Sequence, residues 1–341
     1  MRVARVLRRE QLMLPESLDE DAPPCLVHLV WAPLGLQMLR QFSEALRRHP
    51  CGVPHELVLA MKGFASARAA APYLDEVADL DPTVLFFPDR GFDLDVYFAV
   101  AAKLRRDRYC FVNSYGRPLV DGWLAKLDAA LACPGVGQVG ATGAWASGHS
   151  WWLHSAGLPS AYRGLMPPAP VARRLFREIA FERGAPEQPA RGDVVLARLK
   201  LLPGIPRTLL FYEPFPARFL RTNTFMITHA VLRRLRLLVV RSKTDTYALE
   251  GSRRSITRQL ERLGLCSLVV DRAGAVYRPE EWPRSRTLWQ GDQEGLLVAD
   301  NQTLPYTNGD LPRRRLLSTL AWGSLADPWL PNERRSTAVS R

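Results

Sequence analysis

The stretch from Val84 to Leu119, VLFFPDRGFDLDVYFAVAAKLRRDRYCFVNSYGRPL, narrows the choice of fold more than any other part of the chain. It holds two short apolar runs, each followed by a polar, Gly-containing turn. Between them Phe92, Val96, Phe98, Val100, Ala101 and Leu104 mix spacings of two, three and four, which suits a largely buried helix linking two strands. Strand, helix, strand makes a βαβ unit, whose strands run parallel. The turn residues Pro88, Asp89, Arg90 and Gly91, and then Asn113, Ser114, Tyr115, Gly116 and Arg117, therefore leave the same edge of a sheet. Ligands collect at that edge in open α/β folds.

The same alternation extends in both directions. CLVHLVWA from Cys25 reads as a central strand and LGLQMLRQFSEALRRH as a helix with a basic end, which its dipole favours. ELVLAMKGF is a second strand, SARAAAPYLDEVADL a second helix capped by Ser66, and Asp121–Ala132 and Val136–Ala144 a further helix and strand. The expected fold class is α/β, a Rossmann-related, mostly parallel central sheet with helices on both faces and an inserted lid. The segments expected are a basic arm (1–24), a nucleotide-binding half (25–144), an insertion with one helix near Val171–Arg183 (145–214), an acceptor-side half (215–328) and a disordered tail (329–341). In the second half FLRTNTFMI is strand-like, HAVLRRLRLLVV helical, Thr244–Leu263 holds another helix and CSLVVDRAGAVY a strand with a turn.

A chain of 341 residues, 47% hydrophobic and 23% charged, can bury a sizeable globular core. Its net charge of +12 suggests anionic company, whether nucleotide diphosphates, nucleic acid or an acidic membrane surface. The nucleic-acid reading rests on charge alone. In Val231–Arg241, its best segment, Leu232, Leu235 and Val239 share one helical face, which describes a docked helix with solvated arginines, so no nucleic acid is expected. That helix also suits peripheral contact with anionic lipid. Five cysteines without a C-x-x-C pair read as reduced thiols and suit the cytoplasm. No apolar run approaches the roughly 18–20 residues of a spanning helix, and no apolar segment follows the N-terminal arginines as in a signal peptide. The six histidines lack metal spacing, and there is no P-loop, G-x-S-x-G or complete G-x-G-x-x-G.

The phrases DRGFD at a helix start, CFVNSYGRPL, GWLAKL from Gly122 and VGQVGATGAW from Val136 resemble the bacterial polysaccharide-type glycosyltransferases of family 2, rhamnan-synthesis relatives included, over roughly Cys25–Leu265. The resemblance implies a GT-A fold and inverting transfer of a sugar from a nucleotide-diphosphate donor to a glycan or lipid-linked acceptor at a cell surface. It also implies Mg²⁺ or Mn²⁺ held by a D-x-D motif. Here the matching position reads Asn113-Ser114-Tyr115, without the carboxylate, and an amide and a hydroxyl are weak ligands for such a cation. Two alternatives stay open, an enzyme that handles the diphosphate differently and a non-catalytic binding or scaffold protein on the same fold.

A literal D-x-D stands at Asp93-Leu94-Asp95, where a helix start also favours carboxylates. Without metal, cations near strand ends would meet the diphosphate: Lys62, Arg90, Arg221 or Lys243, each also readable as a surface charge. Asp89 suits the base or ribose, with Asn113 and Ser114 close to the ribose-diphosphate, although Asp and Asn also simply favour turns. By the resemblance Glu250, with Asp245 nearby, stands where the catalytic base belongs; its alternative duty is to cap the helix after it. Trp145, Trp151 and Trp152 suit either sugar stacking or a satellite core. Asn223, Asp292, Asp300 and Asn301, with Gln293, complete the polar groups expected to reach an acceptor or lid.

Overall fold

A computed structural model of the chain describes residues 22–104, 106–182, 210–236 and 248–326, with the backbone alone for 179–182. In chain order the strands are β1 (Cys25–Trp31), β2 (Glu56–Lys62), β3 (Thr83–Phe87), β4 (Arg108–Val112), β5 (Arg117–Pro118), β6 (Val136–Gly140), β7 (Gly143–Ala144), β8 (Phe219–Leu220), β9 (Thr224–Thr228), β10 (Cys266–Val270), β11 (Val276–Tyr277) and β12 (Val298–Ala299). Around them pack α1 (Leu36–Arg48), α2 (Ala67–Glu76), α3 (Asp93–Lys103), α4 (Trp123–Leu131), α5 (Gly148–Ser155), α6 (Ala169–Glu182), α7 (His229–Arg234), α8 (Ile256–Arg262), α9 (Leu304–Thr307) and α10 (Leu311–Trp322).

Eight strands form one sheet in the order β11-β10-β6-β9-β4-β1-β2-β3. β1 pairs in parallel with β2 and β4, β2 with β3, and β6 with β10. β9 enters between β4 and β6, antiparallel to both, and β11 closes one edge antiparallel to β10. The short pairs β5–β12 and β7–β8 lie outside this sheet.

Alternation along β1 shows why both faces are covered. Cys25, Val27 and Leu29 enter one hydrophobic cluster, with Leu94, Tyr97 and Val100 of α3, and Leu26 and Val30 enter the other, with Phe42 of α1 and Trp123 of α4. The fold is of the expected α/β class: a mostly parallel central sheet with helices on both sides. No helix among the described residues is long and apolar enough to cross a membrane.

Local chemistry sets the boundaries. Ser66 caps α2, its hydroxyl accepting from the Ala69 N–H at 3.2 Å. Gly122, at φ +70°, starts α4 at Trp123, two residues later than the sequence suggests. Of the run expected as one helix from His229 to Val240, His229–Arg234 is helical and Leu235 turns extended; Leu232 and Leu235 are buried, and residues 237–240, Val239 among them, lie outside the described residues. Buried Gln138 in β6 donates to the Thr257 and Ser267 hydroxyls at 3.1 and 2.9 Å, so this polar core residue is satisfied.

Candidate active site

Parallel strands bring the carboxyl ends of β1, β2, β3 and β4 to one edge of the sheet. The turn after β3 (Asp89, Arg90) and the turn after β4 (Asn113, Ser114) both lie there. β3 and β4 are three strand positions apart, roughly 14 Å at about 4.8 Å per strand. Because β9 runs the other way, its leading residues Arg221, Thr222 and Asn223 also arrive at this edge.

On the β3 side, Trp31 and Lys62 end β1 and β2. The Trp31 indole N–H donates to Asp89 Oδ1 at 3.0 Å, and Lys62 Nζ lies 3.2 Å from the same oxygen while donating to the Gly91 carbonyl at 2.8 Å. Lys62 is 7% exposed. Its ammonium braces the loop holding Asp89, which corrects its reading as a cation presented to the diphosphate. Gly91, at φ +66°, is required here, because a Cβ would fall 2.0 Å from Asp95 Oδ2. Asp89 and Arg90 are exposed, and no ion pair involves the Arg90 guanidinium among the described residues.

Toward the centre, the Asn113 N–H donates to the Asn223 carbonyl at 2.8 Å and Asn113 Oδ1 accepts from the Tyr115 N–H at 3.1 Å. Asn113 thus makes its own turn, and Ser114 beside it is buried. Asn223 is 4% exposed; its Oδ1 accepts from the Thr142 hydroxyl at 3.1 Å, and its Nδ2 has no partner among the described residues. Arg221 Nη2 stands 3.5 Å from Oδ2 of fully buried Asp300, while Arg221 Nη1 is buried and has no hydrogen-bond partner among the described residues. Oδ1 of Asp300 accepts from the Gln302 and Thr303 N–H groups, both at 2.8 Å.

Glu250, on the helical turn 248–251, accepts at Oε1 from both the N–H (3.3 Å) and the hydroxyl of Thr222. The capping duty falls to Ser255, whose hydroxyl accepts from the Arg258 N–H at 3.2 Å at the start of α8. Asp93, partly buried, has its carboxyl pushed up to about 6, first by desolvation and then by the charge of Glu250. The buried hydroxyl of Tyr97, one turn along α3, has no hydrogen-bond partner among the described residues and is raised well above its ordinary range by burial and then by Asp93. Asp95 closes a capping interaction with the Phe92 N–H at 3.2 Å, so it serves the helix start.

The remaining candidates separate from this group. Trp145 lies inside the core, its N–H donating to the Pro279 carbonyl at 2.8 Å, with Trp322 edge-on at 6.0 Å and Arg218 over the ring at 5.3 Å. No face is left for a sugar, which corrects the stacking expectation for Trp145. Trp151 packs on Phe176 at 4.8 Å, and Trp152 is half-buried on the same helix, α5. Asp292, expected as an acceptor or lid contact, accepts from Arg314 of α10 at 3.1 Å. Gln293 bonds the carbonyl of Thr303 and the hydroxyl of Thr307. Asn301 follows Asp300 in its turn. Asp245 and Lys243 lie outside the described residues.

Mg²⁺ or Mn²⁺ does not fit the residues at the position where the resemblance puts it. Asn113 directs its oxygen into its own loop, and Ser114 and Tyr115, which follow it, carry no carboxylate. Among the described residues, no three His, Cys, Asp or Glu side chains group to hold a metal. Sequence reasoning missed Trp31, Tyr97, Thr142 and Thr222. Trp31 carried a usable signal, since a large amphipathic ring at the end of a central strand faces the ligand edge.

Comparison with protein-family models and with curated proteins found no match. Among solved structures, the chain is similar to a mannosyltransferase from Pyrobaculum calidifontis in complex with GDP-Man and Mn²⁺ (15% identity, 38% of this chain and 39% of that one, TM-score 0.28). It is also similar to glucosyl-3-phosphoglycerate synthase from Mycobacterium tuberculosis in complex with Mn²⁺, UDP and phosphoglyceric acid (12% identity, 73% and 68%, TM-score 0.34). A third is the apo WbbM bifunctional glycosyltransferase (10% identity, 90% and 45%, TM-score 0.35). The chain thus spans about two fifths of the first protein's length and under half of the third's.

Proposed function

We propose that the chain is an inverting glycosyltransferase that moves a sugar from a nucleotide-diphosphate donor to a glycan or lipid-linked acceptor. Glu250 is the base. It removes the proton of the acceptor hydroxyl as that oxygen bonds to the anomeric carbon and the bond to the diphosphate breaks, the electron pair leaving with the phosphate. Asp89 and Arg90 bind the base and ribose side of the donor, Asn113, Ser114 and Asn223 its ribose-diphosphate side, and Asp93 flanks the base. The protein works in the cytoplasm, at the inner face of an anionic membrane.

The observation that carries this reading is the placement of Glu250. Its carboxylate is held by Thr222, one residue from the Asn223 carbonyl that receives the Asn113 N–H, and it is not engaged in capping α8. A carboxylate held through one oxygen, with no hydrogen bond to the other among the described residues, is what base catalysis needs.

One observation favours a second reading, a binding protein without turnover: the motif position carries Asn113 turned onto Tyr115 and no acid. A screen of nucleotide sugars with detection of released diphosphate separates the two. Release with at least one donor and an acceptor supports transfer. Binding heat with nucleotide diphosphates but no release with any donor supports the binding protein.

A further inference from the structure

Besides Asn223, already placed on the diphosphate side of the donor, β5 and the residues before β9 hold charged groups to which the proposed reaction has given no role. β5 pairs antiparallel with β12, with Arg117 opposite Ala299. That register puts the Arg117 backbone one residue from Asp300, whose charge Arg117 feels and whose carboxylate faces Arg221. Arg117 is half-buried, yet among the described residues its guanidinium has neither an ion pair nor a hydrogen bond. Desolvation lowers its pKa, partly countered by Asp300. Two further donors point to the same need: Nη1 of Arg221 and Nδ2 of Asn223, both buried and both unpartnered among the described residues. Buried donors of this kind are costly to leave unmet.

The charges give the ligand its sign. Arg221 stands beside the Asp300 carboxylate and Arg117 lies within reach of its charge, while Asp300 commits Oδ1 to the Gln302 and Thr303 N–H groups and, among the described residues, Oδ2 makes no hydrogen bond beyond its 3.5 Å approach to Arg221. The balance is one positive charge, with donors in excess of acceptors. Guanidinium forks match phosphate oxygens geometrically. The loop that carries Arg117 is the loop whose Asn113-Ser114-Tyr115 lacks the metal-binding acid.

We infer that Arg117, Arg221 and Asn223 form a metal-free site for the diphosphate of the donor, the two arginines supplying the positive charge that a divalent cation would otherwise bring. Asp300 holds Arg221 in place and keeps one edge of its guanidinium directed away from the site. This rests on the proposed transfer reaction for the identity of the ligand, but not for the existence of the anion site.

The test uses the whole chain with inorganic pyrophosphate as the probe, titrated calorimetrically in EDTA and again with Mn²⁺. The expected result is binding in EDTA that Mn²⁺ does not strengthen and that Arg117→Met weakens at least about tenfold, the loss of one charge-assisted hydrogen bond, with Arg117→Lys intermediate. Arg117 is the residue to vary, since Arg221 neutralises a fully buried carboxylate and its removal endangers the fold. Binding that needs Mn²⁺, or that Arg117→Met leaves unchanged, overturns the inference. The two proposals fail separately. Sugar transfer that requires Mn²⁺ and ignores Arg117 contradicts this site alone. Metal-free pyrophosphate binding without transfer from any donor supports the site and contradicts the transferase.

Discussion

The main-chain N–H of Asn113 donates to the carbonyl of Asn223 at 2.8 Å, joining the loop that follows β4 to the loop that precedes β9. Neighbouring strands of opposite direction make this contact, because the end of β4 and the beginning of β9 meet at one edge. It places Thr222, and through it Glu250, beside the turn where the donor phosphates are proposed to lie.

Replacing Thr222 with Val keeps the shape and removes the hydroxyl that Glu250 accepts from. Turnover is expected to fall about tenfold with little change in melting temperature, because one oxygen of the base loses its orientation while the N–H contact remains. Steady-state kinetics beside a thermal melt check this. An unchanged kcat would remove Thr222 from the mechanism.

Lys62 and Arg90 are both basic and both close to the β3 turn, yet they should behave differently. Lys62→Met breaks the tie to Asp89 and Gly91 and is expected to cost on the order of 1–2 kcal/mol. Arg90→Ala, at an exposed guanidinium, should stay within about 0.5 kcal/mol. Urea denaturation of the two variants compares them directly.

Asp93 gives stability a pH dependence of definite sign. Its folded carboxyl is raised to about 6 from an ordinary 3.8, so the folded state holds the proton more tightly and stability falls as pH rises from about 4 to about 6. Buried His28, stacked on Phe42 at 3.6 Å and lowered to about 3, slopes the other way, losing stability as pH falls below about 6.5. The contribution of Asp93 is therefore read as a difference: Asp93→Asn should be more stable than the parent at pH 7, by on the order of 1–3 kcal/mol, and the gap should close near pH 4. A gap independent of pH would contradict the desolvation of Asp93 and, after it, the influence of the Glu250 charge.

Trp145→Ala is expected to destabilise the chain by about 3–5 kcal/mol, as for other buried aromatic rings, because its ring packs in the core and its N–H is bonded to Pro279. Loss of acceptor affinity in a variant that melts like the parent would restore a sugar-stacking role.

Much of the fold was legible because β1, β2 and α1 to α4 carry their own periodicity and punctuation. Val84–Leu119 reads as strand, helix and strand from local spacing alone. What local pattern does not contain is pairing across the chain. Lys62 is an ordinary strand-end lysine until Trp31 and the loop at Asp89 close over it. Arg117 is one of 46 Lys and Arg residues until β5 meets β12. Glu250 was placed by resemblance, but Thr222, which orients it, lies 28 residues earlier and gives no sequence signal. The helix from His229 stops at Arg234, where Leu235 turns extended, a break that the run of Leu and Arg does not announce.

The most direct measurement is the rate of sugar transfer by Glu250→Gln, with the donor that the parent uses and with fold and nucleotide affinity checked in parallel. Glutamine keeps the size and the contact with Thr222 but cannot take the acceptor's proton. The expected result is a fall in kcat of about 10²–10⁴ with nucleotide affinity retained. Parental turnover in this variant would contradict the role given to Glu250.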